Sequence, residues 1–188
     1  MLINFFYSSS VTNCQKEEEI TKSCQQEFRK NSLEMAKKWW EIWQKNKAHK
    51  EFSQFTEKIL RLVLANENYE DPDLKTRMAL AELLFQNESY EDSSENYNIV
   101  ALKTKDAKLA HDSTYSALFA KEKSIEKGKT DLKVAQRKEL VERYLKNFPQ
   151  GEYALSVGLK YAVILYEEKN YLESLKVLTP LSQNKTDL

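Results

Sequence analysis

Lys160 to Leu178 reads KYAVILYEEKNYLESLKVL, and Leu80 to Asn98 reads LAELLFQNESYEDSSENYN. At an offset of 81 residues, Ala81 falls on Ala162, Leu84 on Leu165, Phe85 on Tyr166, Tyr90 on Tyr171, Ser93 on Ser174 and Tyr97 on Leu178. In the later copy, Ala154, Leu155, Val157, Gly158, Tyr161, Ala162, Leu165 and Tyr166 recur at three and four between Glu152 and Glu168, which lays an apolar stripe along a helix. Lys169-Asn170 breaks the pattern, and a second helix starts near Tyr171 with Leu172, Leu175, Val177 and Leu178 inward and Pro180 perturbing its end. The earlier copy spans Asp73 to Asn87 and Tyr90 to Lys103, opened by Asp71-Pro72-Asp73 and turned by Asn87-Glu88-Ser89. Helices joined so closely lie antiparallel, so the repeated unit is a helix–turn–helix hairpin.

Two further pairs complete the chain. Asp106 to Lys127 and Asp131 to Asn147 read as a longer hairpin, with Leu109, Tyr115, Leu118 and Phe119 on the first inner face and Val134, Leu140, Val141, Tyr144, Leu145 and Phe148 on the second. Gly128 stands where a left-handed residue would end the first helix, and Pro149 closes the second. Ser32 to Asn46 and Lys50 to Leu64 form another pair, carrying Trp39, Trp40, Trp43, Phe52, Phe55, Ile59, Leu62 and Val63. Four hairpins at a period of about 40 residues account for the offset. Only three glycines and three prolines occur among 188 residues, too few for the tight turns of a strand-rich fold, so the expected class is all-α.

A small residue on the first helix, an aromatic just after the turn and another small residue three positions on resemble tetratricopeptide repeats. The resemblance covers about residues 73–181. It implies a right-handed α-solenoid of about four hairpins, in which Ala81 and Ala162, with Ser93 and Ser174, let paired helices approach closely while Tyr90 and Tyr171 cover the hairpin ends. Arg77 and Gly158 stand where that family has an early tryptophan, and Val100 and Leu181 where it has a late alanine. Tyr144 to Ala154, YLKNFPQGEYA, is similar to a junction of bacterial repeat proteins in outer-membrane and periplasmic assemblies, which implies a cell-envelope location. Residues 1–31 are expected to be a partly helical extension and 32–188 the repeat domain. No polar capping helix follows Leu181, so the expectation is that a long N-terminal helix, another chain or further repeats cover the last face.

The chemistry-bearing residues are sparse. Lys plus Arg and Asp plus Glu both number 29, a balance that argues against an extended nucleic-acid surface. Three dispersed glycines make no phosphate loop, no HExxH or CxxC occurs, and no run reaches the ~20 apolar residues of a spanning helix. Met1 to Tyr7 is short for a signal sequence and lacks a preceding Lys or Arg. Cys14 and Cys24 fit no zinc spacing; unpaired thiols are the expectation, and a bridge between them would indicate an oxidising compartment. Glu17-Glu18-Glu19 diverges around a helix and reads as a solvated face, as does the Lys121, Lys123, Lys127 and Lys129 cluster with its interleaved Glu122 and Glu126. His49 and His111 are expected to be solvent-facing or satisfied.

The expected function is therefore non-enzymatic, with no cofactor and no metal: a scaffold or adaptor that holds a segment of another protein in the groove formed by the first helices. The candidate contacts are Lys75, Arg77, Glu82, Ser156 and Lys160. Trp39 and Trp43 share a helix face, whereas Trp40 is turned about 100° away, so Trp40 is a candidate hot spot for a partner. A structural subunit that stacks through Trp40 and the open Leu175 to Leu181 face is the alternative.

Overall fold

The computed structural model describes residues 18–65, 73–128 and 130–183, and side chains from 23 to 180 within them. The Met1–Tyr7 run, Cys14, Asp71, Pro72 and Lys129 lie outside these limits. Among the described residues there are eight α-helices and no strand: α1 (Glu18–Lys45), α2 (Lys50–Leu64), α3 (Leu74–Gln86), α4 (Tyr90–Lys103), α5 (Ala107–Lys127), α6 (Asp131–Asn147), α7 (Ala154–Glu167) and α8 (Tyr171–Gln183). The protein is all-α. α2, α4 and α6 have the bounds expected from periodicity, whereas α1 begins at Glu18 rather than Ser32. Side chains start several helices: Asp73 Oδ1 accepts from the Thr76 amide at 3.1 Å, Asp106 Oδ1 from Leu109 at 2.8 Å and Thr130 Oγ1 from Lys133 at 3.3 Å.

The chain divides into two compact units, Met1–Thr76 and Arg77–Leu188. In the first, α1 packs on α2 and buries Ala36, Trp43, Ile59, Leu60 and Val63. Cys24 on α1 is disulfide-bonded, which corrects the expectation of unpaired thiols. In the second unit each helix from α4 to α7 packs on its successor, and Ala81, Tyr97, Ala117, Leu118, Val141, Tyr144, Val157 and Ile164 form one core.

The two copies seen in the sequence are the same object. Ser93 Oγ on α4 donates to the Ala81 carbonyl on α3 at 2.9 Å, and Ser174 Oγ on α8 donates to the Ala162 carbonyl on α7 at 2.8 Å. Both hairpins turn through a non-glycine residue in the left-handed region, Glu88 at φ 60° and Lys169 at φ 62°. The bonds around each turn also match. Glu88 and Ser89 amides donate to Phe85 and Leu84, as Lys169 and Asn170 amides do to Tyr166 and Leu165, and this is the six-to-one and five-to-two pattern that closes a helix C-terminus. Across the turn, Phe85 meets Tyr90 at 5.1 Å and 61°, and Tyr166 meets Tyr171 at 5.2 Å and 61°.

Several expectations are corrected. Gly128 does end α5, but its φ of −177° is extended backbone, and its amide bonds to Ser124 and Ile125. α8 continues past Pro180 to Gln183. Leu172, Leu175 and Leu178 are exposed rather than inward, because Ser174 is the residue of α8 that faces α7. Leu155 and Tyr166 are exposed on α7, whose buried face is Val157, Gly158, Ala162, Ile164 and Leu165. Phe119 is also exposed, lying along the flank of α5 with one face stacked on Phe85 at 5.6 Å.

A left-handed L-residue costs about 1–2 kcal/mol, and glycine's extra freedom in the unfolded chain takes back about 0.5–1. Lys169 is exposed, so Lys169→Gly should stabilise the protein by about 1 kcal/mol and Lys169→Ala should be neutral. Thermal melts of the three proteins check this, with the glycine variant expected to melt about 2–4 °C higher.

Candidate partner-binding surface

The expected groove residues separate into engaged and open groups. Arg77 on α3 is half-buried and donates from Nη1 to Asn96 Oδ1 on α4 at 3.2 Å; burial pulls its pKa below the usual guanidinium range. Lys160 on α7 donates to Glu122 Oε2 on α5 at 2.7 Å. Glu82 is exposed yet hydrogen-bonded by Tyr97, whose hydroxyl pKa is raised first by burial and then by this carboxylate. Ser156 on α7 is exposed, as is Lys75 at the first turn of α3 in the other unit.

In the first unit the tryptophans make an aromatic corner. Trp43 is 5% exposed, Trp40 is half-buried and meets it edge-on at 5.5 Å, and Trp39 packs on Phe55 at 5.2 Å. Lys47 caps the corner with its ammonium 3.5 Å from the Trp43 ring centre, where burial lowers its pKa. Trp40 is thus a partly covered member of an internal stack.

Two polar centres sit within the second unit. His111 on α5 is satisfied on both sides, Nδ1 by Asp112 at 2.9 Å and Nε2 by the Tyr144 hydroxyl at 2.6 Å. The Tyr144 oxygen also accepts from the Tyr153 amide at 3.2 Å, so its own proton is directed at Nε2 and the imidazole proton at Asp112. Gly151 makes the closure possible, because a Cβ there would stand 2.7 Å from both His111 Nε2 and the Tyr144 hydroxyl. Tyr153 completes the wall by stacking on Tyr115 at 3.7 Å and on His111 at 5.4 Å. The second centre corrects the solvated reading of the basic cluster. Lys121 is only 2% exposed, with Glu91 and Gln136 accepting from its ammonium. Burial pushes the Glu91 carboxyl up, but hydrogen bonds from Lys121 and Ser124 and the charges of Lys121 and Lys133 outweigh it, and the net position is below the usual carboxylate range. The adjacent cleft, lined by Tyr90, Glu91, Lys127 and Lys133, has its charges already matched: Lys127 donates to Glu88 at 2.7 Å and Lys133 to the Ser124 and Gly128 carbonyls.

What stands open is apolar. Of fourteen large apolar side chains exposed among the described residues, eight belong to α7 and α8, and Leu172, Tyr166 and Leu175 are exposed by 76%, 65% and 61%. The sequence already points to Leu175 to Leu181 as an open face, but Leu155, Tyr166 and Leu172 read as inward, because periodicity marks apolar stripes without saying whether anything covers them. Among the described residues no His, Cys, Asp and Glu cluster suits a metal, and no helix is long and apolar enough to cross a membrane. Compared with protein-family models, curated proteins and solved structures, the chain matches none of them.

Removing one member of a buried ion pair costs about 3–5 kcal/mol, whereas an apolar replacement of both is near neutral. Glu91→Leu should therefore destabilise the protein by about 3 kcal/mol, and Glu91→Leu/Lys121→Leu should recover most of that loss. Urea unfolding of both variants is the check; a neutral Glu91→Leu would remove the pair from the core's energetics.

Proposed function

We propose that this chain is a non-enzymatic protein–protein interaction scaffold, built as an α-solenoid of tetratricopeptide-like hairpins. The observation that carries the reading is the concentration of exposed apolar side chains on α7 and α8, since large apolar side chains left in water in such number mark contact with other proteins. Stacking of like upon like supports the solenoid: first helices meet through Phe85 with Phe119 and Glu122 with Lys160, and second helices through Asn98 with Arg143. The partner segment lies along the first helices, where Glu82 and Ser156 are exposed to it. The Cys24 disulfide supports an oxidising compartment, in keeping with the envelope location implied by the Tyr144 to Ala154 junction.

The open α7–α8 face favours a second reading, a structural subunit that stacks through that face. Affinity capture from the native source discriminates the two when the chain is compared with a groove variant, Glu82→Lys/Ser156→Glu, and an end-face variant, Leu172→Glu/Leu175→Glu. All four positions are exposed, but Glu82→Lys also takes an acceptor from the Tyr97 hydroxyl, so the helical fold of each variant is checked by circular dichroism before capture. Loss of the partner in the groove variant alone supports the adaptor, and capture of copies of the chain itself that the end-face variant alone abolishes supports the stacking subunit.

A further inference from the structure

The duplication shows what the open face is shaped to take. On α3 and α4, the side chains that seat α5 are Met78 against Ser113, Phe85 against Phe119, Glu91 against Lys121 and Ser124, and Ser94 against the Ala117 carbonyl. Their counterparts at the 81-residue offset are Leu159, Tyr166, Leu172 and Leu175, all exposed. Among the described residues, the seat occupied by a helix in one hairpin is therefore vacant in the other, on a backbone with the same turn and the same interhelix bond.

We propose that the α7–α8 face docks a single amphipathic α-helix of a partner protein in the register in which α5 lies on α3–α4. This rests on the interaction-scaffold reading and names the partner's chemistry. Three substitutions between the hairpins define it. Glu91 becoming Leu172 and Ser94 becoming Leu175 turn a polar seat into an apolar one, so the incoming helix carries leucine or isoleucine where α5 carries Lys121 and Ser124. Glu88 becoming Lys169 reverses a charge, so it carries an acid where α5 carries Lys127. A small residue at the place of Ala117, wholly buried on α5 opposite Ser94, leaves room for the larger Leu175, and an aromatic at the place of Phe119 stacks on Tyr166.

The test uses two labelled peptides spanning Ala107 to Lys127, one unaltered and one carrying Lys121→Leu, Ser124→Leu and Lys127→Glu, titrated onto the full chain by fluorescence anisotropy. The altered peptide is expected to bind about tenfold tighter or better. On the chain variant Lys169→Glu/Leu172→Glu/Leu175→Ser, which restores the α3–α4 residues at exposed sites, the order should reverse. Equal affinities, no binding of either peptide, or an order unchanged by the variant would overturn the proposal. So would a dimer in sedimentation that the variant abolishes, which would make a second copy the occupant. The groove variant Glu82→Lys/Ser156→Glu should leave peptide affinity unchanged; failure of the peptides with groove-dependent capture intact sinks the docking helix and leaves the scaffold standing.

Discussion

A hydroxyl donated to an alanine carbonyl on the facing helix is the contact on which the structure depends. It occurs at Ser93 with Ala81, Ser94 with Ala117 and Ser174 with Ala162, at 2.8–2.9 Å, whereas in the first unit the Thr56 hydroxyl donates to the Phe52 carbonyl of its own helix at 2.8 Å. Such a bond contributes about 1 kcal/mol net. Its larger effect is steric, because both partners must be small for the backbones to come that close. Ala81, Ala117 and Ser93 are completely buried, so a larger side chain there would push two helices apart along their whole length.

From this contact follow both the repetition and its interruption. Once a hairpin is closed by a hydroxyl and an alanine, its turn geometry is fixed closely enough that Glu88 and Lys169 accept the same left-handed conformation. Each closed hairpin then has an outward face. On α3–α4 that face is partly polar and holds the buried Lys121 of α5 through Glu91; on α7–α8 it is leucine-rich and open. The buried Lys121 ammonium needs acceptors, which Glu91 and Gln136 supply and Leu172 could not, and this ties α5 to one of the two seats.

The sequence exposes the helices well and their surroundings poorly. Hairpin spans are legible because three-and-four periodicity and turn residues are local, and the small residues at Ala81, Ala162, Ser93 and Ser174 stand out through the offset. Leu172 and Leu175 read as inward because they continue an apolar stripe, yet burial needs a covering element and no local signal encodes one. Lys121 was hidden among surface lysines, although it keeps phase with Ala117, Leu118 and Ser124, which are all buried. The closure around Gly151 joins His111 to Tyr144 across 33 positions, beyond the reach of any periodicity.

Two equivalent hairpins thus differ in cover, one face occupied by α5 and the other bare among the described residues. Carbene footprinting of the monomeric full chain, read residue by residue by mass spectrometry, measures this directly. Leu159, Tyr166, Leu172 and Leu175 are expected to be labelled several-fold more heavily than Met78, Phe85, Glu91 and Ser94. Equal protection of the two sets would contradict the claim.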